Sequence, residues 1–161
     1  MIRFNSGMRS IRIFISTMPY NAMNRLIFAI AGLSSEVIVV VLSCCSIRQV
    51  TSWSFGLILY RDRLPKFNND GRMIFNCFDW VRDTDTPKIH PTQKPVPLLE
   101  RLIEIFTDKG DVVIDPCAGS GTTLLAAANM GRKAYGFEIK KDFCAEARVK
   151  VLPRISKSLF V

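Results

Sequence analysis

The chain has 161 residues, with 22 Lys and Arg against 14 Asp and Glu for a net charge of +8, and it is 48% hydrophobic with a single histidine. A chain of about 150 residues buries roughly two-thirds of its unfolded surface, so one domain, or a domain with a poorly formed extension, is expected with a real core, and overall disorder is not expected. The five cysteines (Cys44, Cys45, Cys77, Cys117, Cys144) are odd in number and lack paired spacing, and one histidine cannot complete a Cys/His set, so neither a disulfide framework nor a metal site is expected.

The charge is unevenly spread. Residues 1–60 hold five basic side chains and one acid, whereas residues 61–161 hold 17 and 13. Each part nets +4, but the charge density differs about threefold. In the sparse part Ile11 to Ile15 is a short apolar run, broken by Met18-Pro19-Tyr20-Asn21. Leu26 to Ile47 is long enough to cross a bilayer, yet Glu36 at its centre would cost about 2.5 to 3.5 kcal/mol on insertion scales, so a buried strand or helix pair is preferred to a span. Within it Val37 to Leu42 is a β-branched run of strand length, of the kind covered on both faces of a sheet. Trp53 to Tyr60 supplies a further strand candidate. From Arg61 to His90 the turn formers Pro65, Asn68-Asn69-Asp70-Gly71 and Asp83 to Pro87 predict loops.

After this the pattern sharpens. Pro97 suits a first helical turn, and Leu98, Leu99, Leu102, Ile103 and Phe106 recur at helix spacing, with Glu100, Arg101 and Glu104 on the other side. Lys109-Gly110-Asp111 turns the chain into a short buried strand, Val112 to Ile114. Asp115 to Gly121 is a glycine-containing loop before a helix from Thr122 to Met130, which Gly131 is placed to cap. Ala134 to Phe137 reads as a second strand with Glu138 at its carboxyl end, followed by a helix over Asp142 to Val151. Helix, strand, helix, strand, helix in about 55 residues predicts an α/β fold with a doubly wound, mostly parallel sheet.

Ligands of such sheets sit beyond the carboxyl ends of the strands, where both informative segments end. Gly119 and Gly121 let the backbone turn sharply and allow close approach of a ligand, and Thr122 or Thr123 is available to cap the helix. Glu138 follows Asp115 by 23 positions, the offset at which an acid accepts hydrogen bonds from ribose hydroxyls in nucleoside-binding sheets. The plainer alternative is a helix cap and a solvated carboxylate. The loop lacks a Gly-Lys-Ser/Thr ending, so a P-loop is excluded, and an acid beside the glycines opposes pyrophosphate. A cationic nucleoside such as S-adenosylmethionine suits two carboxylates better.

The run Asp115-Pro116-Cys117-Ala118-Gly119-Ser120-Gly121-Thr122-Thr123, with His90-Pro91-Thr92-Gln93-Lys94-Pro95 ahead of it and Gly136-Phe137-Glu138 behind, resembles the DNA amino-methyltransferases that modify adenine N6 or cytosine N4. The order of the segments is similar to their permuted (beta) class, of phage or bacterial type, in which the catalytic half precedes the cofactor-binding half. The resemblance covers residues 88–151 specifically and extends to about residue 57. It implies a Rossmann-like methyltransferase fold, incomplete at this length, with an unassigned apolar segment over 1–56 and an S-adenosylmethionine-binding part over 57–161. It further implies that Asp115 and the loop Cys117, Ala118, Gly119, Ser120, Gly121 and Thr122 hold the methionine end of the cofactor. Glu138 would hold the ribose, and Thr92, Gln93 and Lys94 the amino-acid carboxylate. His90 would rigidify its turn, and the Cys117 thiol would serve packing.

Amino-methylation requires a flipped base. The family meets it with an Asp-Pro-Pro-Tyr-like or Asn-Pro-Pro-Tyr-like segment, and the nearest candidates here are Pro19 and Tyr20, with Thr17-Met18 where Asp-Pro or Asn-Pro would stand. Two readings stay open: a compact methyltransferase whose residues 1–87 form a reduced catalytic and DNA-reading half, or a catalytically inactive cofactor-binding remnant. Double-stranded DNA is the expected partner, contacted by Arg61, Arg63, Lys66, Arg72, Arg82 and Lys88, and a cytoplasmic location is expected of such an enzyme.

Overall fold

The computed structural model describes residues 67–75, 77 and 82–155, together with the backbone of three strands earlier in the chain. Five strands share one sheet: β1 (Ile11–Ile15), β2 (Ile38–Ser43), β3 (Phe55–Leu59), β4 (Val112–Asp115) and β5 (Lys133–Gly136), in the order β3-β2-β1-β4-β5. β1 runs parallel to both neighbours, with Ile13 opposite Val39 on one side and Ile114 on the other. β4 and β5 are parallel, with Asp115 opposite Gly136, and β3 pairs antiparallel to β2 at one edge. The mostly parallel α/β sheet expected from the sequence is therefore present.

Its first half was the less readable one. Ile11 to Ile15, noted only as an apolar run, is the central strand. The β-branched run becomes β2 with its start one residue later than expected, and β3 lies inside Trp53 to Tyr60. The division at residues 56 and 57 falls within β3, and strands from before it pair with β4, so both charge textures meet in a single sheet. β2 occupies part of the apolar stretch Leu26 to Ile47, and no helix among the described residues is long and apolar enough to cross a membrane.

Helix α1 (Val96–Phe106) buries Val96, Leu99, Leu102, Ile103, Ile105 and Phe106; of the stripe its spacing predicted, Leu98 is only half-buried, Val96 and Ile105 are added, and Arg101 and Glu104 stay exposed. It packs on Leu125, Ala126 and Ala127 of α2 (Thr122–Asn129) and on Val113 of β4 to form the core, with Val151 closing it from the C-terminal side. The small alanines let the two helices approach closely. Phe67 meets Phe106 edge to face at 5.3 Å between ring centroids.

Both ends of α1 are tied from a distance. At its start Pro95 offers no side-chain cap; the Asp83 carboxylate does the work instead, accepting the Val96 N–H at 3.0 Å through Oδ2. Its Oδ1 accepts the N–H groups of Asp85 (3.0 Å) and Thr86 (2.9 Å). Burial raises the Asp83 pKa, but the bonds from Val96, Thr86 and Asp85 outweigh it and hold the carboxyl below its ordinary value. At the other end, buried Arg132 donates from Nε to Thr107 Oγ1 (2.8 Å), from Nη2 to Thr107 O (2.7 Å) and from Nη1 to Met130 O. Asn68 adds a bond to Thr107 O at 2.9 Å. Side chains thus hold the C-cap residue Thr107, and in the last turn Ile105 O accepts the Asn68 backbone N–H at 2.8 Å.

Gly131 closes α2 as expected, with φ 74° and its N–H donating to Ala128 O at 2.9 Å. After β5 the chain forms α3 (Lys141–Glu146), which widens into a π-helical turn (Ala147–Val151) and a final 3₁₀ turn (Leu152–Arg154). The single helix expected over Asp142 to Val151 is therefore one helical path of three geometries.

Candidate functional site

From β1 the chain builds outward through β2 to β3, then returns to lay β4 on the other side of β1 and continues to β5. The strand order reverses between β1 and β4. In open α/β sheets that reversal opens a crevice at the carboxyl ends, because successive connections leave in opposite directions. β4 ends at Asp115 in this position.

Asp115 is fully buried, and its Oδ1 accepts the Cys117 N–H at 3.0 Å, which bends the chain back on itself as it leaves the strand. Gly119 (φ 51°) and Gly121 (φ 76°) both take left-handed conformations that L side chains rarely adopt, so the glycines are required by backbone geometry. Gly121 is the N-cap of α2. The expected capping by Thr122 or Thr123 does not occur: both are inside the first turn and buried, and the Thr122 hydroxyl lies 3.2 Å from Ser120 Oγ. The left-handed Gly121 brings the chain into the helix without a side-chain cap.

The loop is clipped to the end of β5. Phe137 N–H donates to Asp115 O, and Ala118 N–H donates to Phe137 O, each at 2.9 Å. Glu138 then reaches across. Its Oε2 accepts the Gly119 N–H at 2.9 Å and its Oε1 accepts the Lys140 N–H at 2.8 Å. The two segments that the sequence assigned to one crevice are joined directly. A carboxylate has about four acceptor positions, so these bonds fix the Glu138 head and leave it able to accept further donors. Gly136 makes the approach possible, since a Cβ there would lie 2.7 Å from Leu124 Cδ1 and 3.0 Å from Ala118 Cβ.

The crevice is electronegative. Burial first, then Asp115 and Glu138, push the Cys117 thiol above its ordinary pKa, so it is a neutral thiol at pH 7, as a packing role requires. Beside Glu138, Ile139 is 98% exposed and Phe137 62% exposed. Ile139 was missed by sequence reasoning, and only its position immediately after the acid could have marked it. Among the described residues no group of three His, Cys, Asp or Glu side chains could hold a metal ion.

The turn from His90 to Lys94 borders the same crevice through His90, whose ring packs on Phe143 of α3 at 4.4 Å and which interacts electrostatically with Glu138 and Lys140. Its members differ in availability. Gln93 is used inside the turn, accepting Ile89 N–H through Oε1 and donating to Pro87 O through Nε2, each at 3.0 Å. The Thr92 hydroxyl is exposed and bonded to His90, and Lys94 is buried. Of the basic residues expected to meet DNA, Arg72, Arg82 and Lys88 are exposed. Arg61, Arg63 and Lys66, like Pro19 and Tyr20, lie outside the described residues.

Known proteins resemble this chain in sequence and in fold. Two curated relatives are the DNA adenine methyltransferase YhdJ of Escherichia coli, 41% identical over 91 residues, and the type II methyltransferase M2.DpnII of Streptococcus pneumoniae, 45% identical over 95 residues. These alignments cover 55% and 57% of the chain but 31% and 35% of the relatives, so the chain spans about a third of the length of the curated relatives it matches. Among solved structures, the M1.HpyAVI–SAM complex superposes with a TM-score of 0.71 at 20% identity, covering 88% of both chains. The cytosine-N4-specific PvuII DNA methyltransferase superposes with a TM-score of 0.66 at 15% identity, covering 86% of this chain and 78% of that one. These likenesses concern the fold. The family model for DNA methylases, of the N6 and N4 type, matches residues 50–149, and the chain belongs to that family.

Proposed function

We propose that the chain is the S-adenosylmethionine-binding part of a DNA amino-methyltransferase that transfers a methyl group to the exocyclic amine of adenine or cytosine. The observation that carries this reading is the Glu138–Gly119 bond, which joins the ribose-type acid to the glycine loop at the carboxyl ends of β4 and β5. The residues fit the cofactor. Glu138 is fixed to accept the ribose hydroxyls, exposed Ile139 offers an apolar surface for the adenine, and Asp115 with the loop amides at Gly119 to Gly121 suits the methionine end. Lys94 and Thr92 supply a charge and an oriented hydroxyl for the cofactor's carboxylate. The bound cofactor supplies an electrophilic methyl group on a sulfonium, a charge that the two carboxylates favour.

For the base, topology supports Pro19 and Tyr20. β1 is parallel to β4, so Ile15 and Asp115 both stand at the carboxyl ends of their strands, and Pro19 and Tyr20 follow Ile15 by four and five positions in sequence. Against rapid catalysis stands Thr17-Met18: at the position of the family's Asp or Asn, Thr17 offers the exocyclic amine a single neutral hydroxyl in place of a carboxylate or amide oxygen, and Met18 replaces a proline. Double-stranded DNA is the proposed partner, with Arg72, Arg82 and Lys88 positioning the phosphates. Together these observations favour a cofactor-binding protein with slow or absent methyl transfer.

Titration calorimetry with S-adenosylmethionine tests the cofactor reading. Saturable binding is expected, weakened roughly 10- to 100-fold by Glu138→Ala, which removes two charge-assisted bonds to the ribose. Absence of binding by folded wild-type protein would end it. Tritiated methyl incorporation into DNA at a rate of about 1 per second or more, an ordinary enzymic turnover, would refute the expectation of weak catalysis.

A further inference from the structure

His90 is the only histidine of the chain, and three features converge on it. The Thr92 N–H donates to its Nδ1 at 3.3 Å, and the Thr92 hydroxyl lies 3.1 Å from the same nitrogen. Nδ1 therefore acts as the acceptor, which places the ring proton on Nε2. The ring also packs at 62° on Phe143 of α3, a side chain whose own ring lies 5.4 Å from Lys140 Nζ. One imidazole thus touches the turn that leads to Lys94 and the helix that follows Glu138.

We propose that His90 is a positioning residue: its neutral Nδ1 folds the Thr92-Gln93-Lys94 turn and its ring holds that turn against α3, so that both walls of the crevice keep one spacing. The proposal rests on reading this crevice as the S-adenosylmethionine site. Protonating Nδ1 would set an N–H against the Thr92 N–H, two donors facing each other, and release the turn. The charged groups acting on the ring are Glu138, after β5, and Lys140, before α3. Burial lowers the His90 pKa, Glu138 draws it up and Lys140 draws it down, and the net position is below the ordinary imidazole value of 6.5. The hold is therefore intact at neutral pH and lost as pH falls through that lowered value.

The single histidine makes the spectroscopic test unambiguous. Long-range ¹⁵N–¹H correlation spectra of the free wild-type chain should show the Nε2–H tautomer titrating below 6.5. An Nδ1–H tautomer, or a midpoint at or above that value, would overturn the proposal. In calorimetry with S-adenosylmethionine, wild-type affinity should fall roughly three- to tenfold on full protonation of His90, the range corresponding to one net hydrogen bond. By linkage, saturating cofactor should move the His90 midpoint further down. His90→Asn keeps an oxygen acceptor near Nδ1 but loses the ring contact with Phe143 and cannot titrate, so it should bind more weakly than the wild type at neutral pH and show a flat pH profile. His90→Phe keeps the ring contact without the acceptor and should bind weakly throughout. A profile shared by wild type and His90→Asn would overturn the proposal. If no form binds S-adenosylmethionine but the free protein shows the expected tautomer and midpoint, the cofactor reading falls and the hold of His90 on its turn is supported.

Discussion

Adding one methyl group at Gly136 should damage the site without touching any ligand-facing side chain. A Cβ at this position lies 2.7 Å from Leu124 Cδ1 and 3.0 Å from Ala118 Cβ. The first contact is with the end of a flexible side chain, which rotates away at small cost. The second is with a methyl fixed to loop backbone, and it can be relieved only by moving the loop. Restoring an ordinary separation of about 3.5 Å needs a shift of about half an ångström, because carbon–carbon contacts are optimal at 3.5 to 4.0 Å. That shift passes directly to Gly119, whose N–H bonds Glu138 at 2.9 Å. Overpacking of this kind costs about 1 to 3 kcal/mol. Gly136→Ala should therefore lower the melting temperature by roughly 2 to 4 °C for each kcal/mol at this chain size. It should also weaken S-adenosylmethionine binding by about tenfold through the stretched Gly119–Glu138 bond. Ala118→Gly in the same chain should restore both, because it removes the fixed contact. The assays are thermal and urea unfolding with calorimetry beside them. A Gly136→Ala protein with wild-type stability and affinity would show that the packing of β5 on the loop does not hold Glu138 in place.

Three further outcomes follow from separate parts of the molecule. Replacing Thr17 and Met18 together, Thr17→Asp with Met18→Pro, should raise methyl incorporation into DNA at least tenfold over the parent if Pro19 and Tyr20 are a base-contacting pair; an unchanged rate would remove them from consideration. Asp83→Asn should destabilise the start of α1 by about 1 to 2 kcal/mol at neutral pH, because the amide nitrogen must face an N–H donor. Since the folded pKa of Asp83 is depressed below its ordinary 3.8, its stabilisation is complete above that value and lost as pH falls through the folded one. The acid limb of a stability–pH profile should flatten in the variant, and an unchanged limb would refute the assignment. Arg132→Met should cost about 3 kcal/mol in urea unfolding, since it leaves the buried Thr107 hydroxyl and carbonyl without their guanidinium partner; a loss below about 1 kcal/mol would mean that water replaces it.

How much of this was readable in advance depended on the range of the interactions. Most of the stripe of α1, the strand expected over Val112 to Ile114, the glycine turn and the acid after β5 are encoded within windows of a few residues; the strand runs one residue further, through Asp115, and Leu98 of the stripe is only half-buried. β1 was not recognised, because five residues of a strand flanked on both sides carry no alternation to distinguish them from any apolar run. The cap on Val96 comes from Asp83, 13 positions away and outside any capping motif, so local rules pointed to Pro97 alone. Thr122 and Thr123 satisfied the rule for a side-chain cap, yet the left-handed Gly121 displaced both by bringing the chain in at another angle. For the site, the sequence supplied Glu138 and the glycines as neighbours of one crevice. Their direct bond depends on the pairing of β4 with β5, which no local pattern specifies.

The place of β1 in the sheet bears on how the protein can be divided. β4 has a hydrogen-bonded partner on each side, β1 and β5. A fragment beginning after β3 would keep the glycine loop, Glu138 and His90, yet it would open one whole side of β4 as a row of unpaired N–H and C=O groups on an apolar strand. Such an exposed edge is a template for joining other chains. The second half is therefore expected to aggregate when produced alone, because β1 is what covers that side of β4.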